Sequence, residues 1–252
     1  MDYDKLLNAA VELGCRLMSS GAEIYRVEES VRRLLQAYGL ESPEVFAIPN
    51  CVIVSITTPE GHPVTRMRRI GAHGTDIELL ERCNDLCRHL CVQTPPVEEA
   101  QARLTELLQT PRYALWKVLF GYGIAPACFA PIFGGGASDA LCALLGGLAV
   151  GACLLYGGRL IGSNGFFRTA ICSAVGSLLS LLLVRLGWGQ SVDTVTISVL
   201  MVLVPGVALT NAMREIMAGD IISGLSRAAE SILTATAIAI GSAVGVAIGG
   251  IF

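Results

Sequence analysis

Two stretches of this chain set ionisable side chains where local pairing does not account for them. The first runs from Val204-Pro205-Gly206-Val207 through Asn211, Arg214, Glu215, Asp220, Ser223, Arg227 and Glu230. A planar guanidinium binds a carboxylate bidentately and an ammonium does not, so Arg214 and Arg227 suit a small anionic ligand. Asp220 is the carboxylate this reading favours for holding a proton or for orienting one of those arginines. Pro205 removes an amide donor, and the break it makes with Gly206 frees carbonyls of the kind that line polar cavities in interrupted membrane helices. An ordinary kink followed by a charge-balanced loop is the alternative. The second stretch is Gly21-Ala22-Glu23-Ile24-Tyr25-Arg26-Val27-Glu28-Glu29-Ser30. Glu28 with Arg32 and Glu29 with Arg33 are well-oriented i, i+4 pairs on a helix, which leaves Glu23, Tyr25 and Arg26 unexplained.

The elements that must position these residues follow from charge. The chain carries 18 Lys and Arg and 21 Asp and Glu, and 29 of these 39 charges lie in the first 117 of 252 residues. The remainder leaves uncharged runs at 118–138, 140–158, 169–184, 194–213 and 231–252, mostly close to the ~20 apolar residues that cross ~30 Å of hydrocarbon. The expected fold class is therefore an α-helical integral membrane protein with five transmembrane helices, near 115–135, 139–158, 169–187, 194–213 and 231–251, following an N-terminal cytoplasmic α+β domain. Residues 1–110 form that domain and 111–252 the membrane part. A composition of 53% hydrophobic residues with 28 glycines agrees, as does the mean hydropathy of +0.60. The third run is the weakest, and Arg185 at its end is expected to snorkel. Pro111-Arg112, Trp116 and Lys117 mark the approach to the first span.

In the soluble part, Tyr3 to Met18 and Ala22 to Tyr38 have helical spacing of apolar residues and are separated by Ser19-Ser20-Gly21. Short runs at Val45 to Ile48, Cys51 to Thr57 and Pro63 to Arg69 predict a small antiparallel sheet, and helices return at Asp76 to Cys91 and Val97 to Leu108. No basic block supports nucleic-acid binding, and the acidic start Met1-Asp2-Tyr3-Asp4-Lys5 is unlike a secretory leader, so this domain is expected to stay in the cytoplasm. Nine scattered cysteines point to free thiols. Cys83, Cys87 and Cys91 share a helical face, but the outer two stand ~12 Å apart and cannot meet on one tetrahedral ion; they read as packing residues. No metal and no cofactor is expected, and His62, His73 and His89 read as surface or packing residues.

Arg159 and Arg168 fall after the second span and Arg214 and Arg227 after the fourth, against Arg185 alone on the other face, which orients the N-terminus inside. Gly241, Gly245 and Gly249, with Gly147 and Gly151, form small-residue stripes that let helix backbones approach closely. Gly134-Gly135-Gly136 lack the Lys-Ser/Thr of a phosphate loop and read as an extracytoplasmic turn.

The Gly21 to Ser30 motif, together with Pro205-Gly206 and Gly219-Asp220-Ile221-Ile222-Ser223-Gly224-Leu225-Ser226-Arg227, resembles the threonine/serine exporter family in its N-terminal, YjjP-like component, over nearly the whole chain. The family's usual Thr after the motif's first Glu is Ile24 here. The resemblance implies a multi-pass inner-membrane secondary exporter of small amino or carboxylic acids, threonine and serine or the dicarboxylate succinate, driven by protons and not an enzyme. It also implies a second, smaller membrane component; because the sequence stops after the fifth expected span, that partner is expected on a separate polypeptide. A proton-coupled carrier keeps a titratable carboxylate within the membrane, yet Asp139, Asp193, Glu215, Asp220 and Glu230 all lie near span ends. Either 206–226 dips back into the bundle or the partner supplies the proton site. A membrane-anchored hydrolase and a regulatory or sensor subunit are the alternatives from other classes.

Overall fold

Asp2 starts the first helix by accepting from the Lys5 amide at 3.1 Å, and the apolar spacing that follows buries one face of it. The computed structural model describes residues 2–71, 74–109, 113–157 and 164–251. Met1, His73, Pro111, Arg112 and Arg159, which figure in the sequence reading, lie outside the described residues. The chain divides into two compact units, Met1–Pro111 with Val207–Ala228, and Arg112–Gly206 with Ala229–Phe252.

The first unit holds α1 (Tyr3–Ser19), α2 (Ile24–Ala37), strands β1 (Glu44–Ile48), β2 (Cys51–Thr57) and β3 (Pro63–Arg69), then α3 (Ile77–Gln93) and α4 (Val97–Gln109). The sheet is antiparallel in the order β1-β2-β3, with Val45 opposite Val54 and Val54 opposite Arg66. Alternation along β2 buries Val52, Val54 and Ile56, and these pack with Leu6, Leu13, Leu17, Val27, Val31 and Leu35 in one core. Each fully buried leucine contributes ~1.5–3 kcal/mol, so this core is the main support of the unit. Strand β3 is an edge guarded by charge: Arg66 donates to Asp4 at 2.8 Å and Arg68 pairs with Glu12. Asp76 caps α3 through the Leu79 amide at 3.0 Å, and α3 ends at Thr94 in the left-handed conformation, just before Pro95-Pro96.

This unit is completed by most of α9 (Gly206–Ala218) and the first turns of α10 (Ile221–Ile251). Gly219, at φ +102°, separates the two helices, and Gly224 lies so close to the Ala212 carbonyl and Ile216 that a methyl group would not fit. These two glycines of the second motif therefore build a helical corner.

The second unit holds α5 (Leu115–Ile132), α6 (Ala137–Tyr156), α7 (Gly165–Arg185), α8 (Val192–Leu200) and the remainder of α10. Among the described residues, four helices are long and apolar enough to cross a membrane: α5, α6, α7 and α10. Residues 229–251 of α10 are by themselves long enough to span ~30 Å at 1.5 Å per residue. The expected fourth span, 194–213, is not one helix. Helix α8 has nine residues, ~14 Å, and ends before Pro205, which has no amide to continue the ladder; α9 begins after it. The division between the two units falls at this break, between Gly206 and Val207.

Small residues set the helix spacing. A side chain at Gly241 or Gly245 would run into the backbone carbonyls of Ala170 or Ala174, and Gly249 meets Leu178 and Leu181, so this stripe is the α7–α10 contact. Ser173 Oγ donates to the Ile238 carbonyl at 2.6 Å and Ser177 pairs with Ser242 at 2.8 Å along the same seam. Arg185 does not simply snorkel: it donates to the Gly249 carbonyl at 2.7 Å and satisfies an otherwise open acceptor near the end of α10. Gly147 and Gly151 meet Tyr122 in the same way, and Gly134, at φ +84°, forms the turn between α5 and α6.

Candidate functional site

Ser19 to Glu23 connect α1 to α2 in a fixed path. Gly21 adopts φ +99°, and the connection is clamped by Gly74 and Asp76, whose amides donate to Ser19 and Ser20 at 3.1 and 3.0 Å. It leaves two groups of open valences: the carbonyls of Gly21 and Ala22, and the free amides at the start of α2. Glu23 occupies the cap position of α2 without capping it. Its side chain turns instead to arginines, pairing with Arg214 of α9 and lying 2.8 Å from Arg26 Nε. Tyr25 fixes Arg26 in place, with its hydroxyl accepting from Arg26 Nε at 3.1 Å and its ring 5.8 Å from the guanidinium.

The missing cap comes from elsewhere in the sequence. Glu215, 0% exposed, accepts from the Ile24 amide through Oε1 at 3.3 Å. A carboxylate there faces the positive end of the α2 dipole. Arg227 Nε stands 3.3 Å from the same Glu215 oxygen, and its terminal nitrogen donates to the Ala22 carbonyl at 2.9 Å and to Met18 Sδ at 3.2 Å. Asn211 donates to the Gly21 carbonyl at 3.4 Å. Every open group of the α1–α2 connection that these contacts reach is met by a side chain nearly 200 residues away.

The two buried carboxylates are tuned in opposite directions. Burial acts to raise Glu23, but the Tyr25 hydroxyl, Arg214 and Arg26 outweigh it and hold the carboxyl below the ordinary range. Burial of Glu215 prevails: its carboxyl lies above the ordinary range, lowered only in part by Arg227 and the Ile24 amide and pushed further by the charges of Asp220 and Glu23. Beside the Glu23 pair lies a cavity of about 210 Å³, lined among others by Glu23, Arg26, Thr75, Asn84, Asn211 and Arg214. That is below the ~300–1,000 Å³ of drug-sized sites and of a scale for a small metabolite.

A family model described as "Putative threonine/serine exporter" matches residues 8–249. The chain belongs to the threonine/serine exporter family. Relatives include the "Probable succinate transporter subunit YjjP" of Klebsiella aerogenes, 27% identical over 96% of this chain and 95% of the relative, and its namesake in Escherichia coli, 26% identical over 96% and 93%. The "Threonine/serine exporter" of Corynebacterium glutamicum is 25% identical over 96% of this chain, which spans 50% of that protein. No solved structure matches the chain significantly. Membership of this exporter family, with four long apolar helices, identifies a membrane protein.

Of the residues singled out in sequence, the exporter-family fold brings together Gly21, Glu23, Tyr25, Arg26, Asn211, Arg214, Glu215 and Arg227. Asp220 lies just before α10 and faces Glu28 and Glu215 electrostatically, and Ser223 is buried one turn later. Glu28 serves another purpose, accepting from the Ala47 amide at 2.8 Å and so tying α2 to β1. Pro205 and Gly206 lie at the division between the units, and Glu230 falls in the second unit. Sequence reasoning missed Thr75, before α3, and Asn84, midway along it, which line the cavity, and the backbone groups of Gly21, Ala22 and Ile24. Only Asp76, as a helix-cap signal, hinted that this segment is fixed. Cys83 and Cys87 are buried, and Cys87 donates to the Ser30 carbonyl at 3.5 Å, a packing role.

Proposed function

We propose that this chain is a subunit of a proton-coupled secondary exporter of small amino or carboxylic acids in the inner membrane, with residues 1–110 in the cytoplasm. It works with a second, smaller membrane component. The observation that carries the reading is the Glu23, Arg26, Asn211 and Arg214 constellation beside a metabolite-sized cavity. Arg214, 53% exposed at its side chain, presents a guanidinium that a substrate carboxylate can take over from Glu23. Arg227 is largely buried against Ala22 and Glu215, so it positions rather than binds. The relatives named as transporter subunits support a partner component, and the longer exporter relative carries further sequence beyond the matched half.

Five membrane passages, the last leaving the C-terminus outside, fit the connectivity. Residues on both sides of the stretch 112–206 belong to one unit, so an even number of crossings is needed between them. Helices α5, α6 and α7 supply three crossings, so residues 192–205, α8 and the interrupted stretch after it, supply the fourth and α10 the fifth. Impermeant thiol reagents applied to intact cells should spare Cys51; its ready labelling would refute the orientation.

Flux is the test of function. With both components in liposomes, an imposed proton gradient should drive succinate, threonine or serine across, and the same screen names the substrate. Absence of flux for all three and for related small acids, with the complex assembled, would leave the regulatory or hydrolase reading in its place.

A further inference from the structure

A proton-coupled carrier needs a carboxylate that changes its proton and its surroundings together. The second unit offers three by sequence: Asp139, Asp193 and Glu230. Asp139 is buried but saturated, accepting from the amides of Gly136, Gln190 and Ser191 at 3.2, 2.6 and 3.2 Å. That arrangement holds the α7–α8 connection in place and gives Asp139 a structural task. Asp193 is exposed in the first turn of α8, and Glu230 is exposed on α10.

Glu215 differs in each respect. It is wholly buried, and its Oε1 is shared between the Ile24 amide and Arg227. Its Oε2 is shielded from solvent and has no hydrogen-bond partner among the described residues. An ionised carboxylate with one oxygen left dry is costly, and a proton relieves most of that cost. The charged groups that face it are Glu23, just before α2 and itself neutralised by Arg26 and Arg214, Asp220, just before α10, and Arg227 from α10. The contact also joins two elements far apart in sequence, since Glu215 ties α9 to the start of α2.

We propose that Glu215 is the proton-binding carboxylate of this subunit, loaded while α9 is docked on α2 and unloaded when α9 lifts away. The proposal rests on the proton-coupled reading above and assigns it a residue. The proton passes from Glu215 to water when the side chain becomes hydrated, and Arg227 keeps the Ala22 carbonyl or follows α10. The sign follows from linkage. The docked state holds the proton above the ordinary glutamate value of 4.5 and the undocked state does not, so acid favours docking and rising pH loosens it. Between the two values the ratio of docked to undocked molecules falls by up to ~10-fold per pH unit. Undocking frees Arg214 from Glu23, which couples proton release to exposure of the substrate arginine.

Hydrogen–deuterium exchange of the full chain in nanodiscs tests this without any transport assay. Compared at each pH with Glu215→Gln, which mimics the loaded state, the wild type should protect residues 22–27 equally in acid and progressively less as pH rises. Equal protection of the two proteins at every pH, or a pH-dependent loss that persists in Glu215→Gln, overturns the assignment. If Glu215→Gln does not fold, Asp220→Asn serves: removing a charge that raises Glu215 should move the wild-type transition to lower pH, and an unmoved transition overturns the proposal. A pH-dependent contact together with absent flux would sink the exporter reading and leave the proton site standing.

Discussion

The two units handle buried polar groups in contrasting ways. In the first, the carboxylates Glu23 and Glu215 are withdrawn from water and answered by Arg26, Arg214 and Arg227 and by the open end of α2. In the second, the groups along the α7–α10 seam are hydroxyls, Ser173 and Ser177, bonded across glycine-spaced backbones, and its buried Asp139 is saturated by amides. Ion pairs respond to pH and to anions. Satisfied hydroxyls and glycine contacts do not. On that contrast, a response to pH is expected from the first unit rather than the second.

Substitutions should break that contrast in order of size. Gly241→Leu, which drives a side chain into the Ala170 carbonyl, should cost ~3 kcal/mol or more and reduce the amount of folded protein. Both tryptophans, Trp116 and Trp188, lie in the second unit, so their fluorescence reports its melting separately from the first. Arg227→Ala leaves Glu215 without its cation and the Ala22 carbonyl without this donor, and should cost ~3 kcal/mol at a pH high enough to ionise Glu215. The cost should shrink in acid as Glu215 protonates, with proteolysis of residues 207–228 rising at neutral pH while tryptophan fluorescence stays unchanged. Glu23 is lowered rather than raised, so its pairing contributes fully above the ordinary glutamate value of 4.5 and is lost as pH falls through its own lower value. Glu23→Gln should remove that acid-side transition from the exchange profile of the first unit. Arg33, which pairs with Glu29 on the surface, marks the small end: Arg33→Gln should change stability by less than ~0.5 kcal/mol.

Much of this was legible in the chain because local rules fixed it. The alternation of Val52, Val54 and Ile56 gave β2, the apolar spacing of Leu6 to Leu17 gave α1, and the charge-free runs gave α5, α6, α7 and the end of α10. The expected single span at 194–213 did not form because one residue without an amide, Pro205, outweighs the hydropathy of the run around it. The site was half legible. Glu23 and Arg26 stood out as unpaired locally, and Arg214, Glu215 and Arg227 as charges in apolar surroundings. Their meeting depends on the helical corner at Gly219 and Gly224 and on backbone groups of Gly21, Ala22 and Ile24, which carry no side-chain signal. Charge and position favour Asp220 as proton carrier in the sequence; burial, which a sequence does not give, is the observation from which Glu215 is proposed instead.

The central claim is that Arg214 in the first unit handles the substrate, and gradient-driven export by the reconstituted complex tests it most directly. Arg214→Lys keeps the charge but loses the planar fork, and it should cut export ~10-fold, equivalent to ~1.4 kcal/mol, with normal amounts of folded complex. Arg33→Lys, an exposed arginine changed in the same way, should export as the wild type does. Wild-type export by Arg214→Lys would contradict the account.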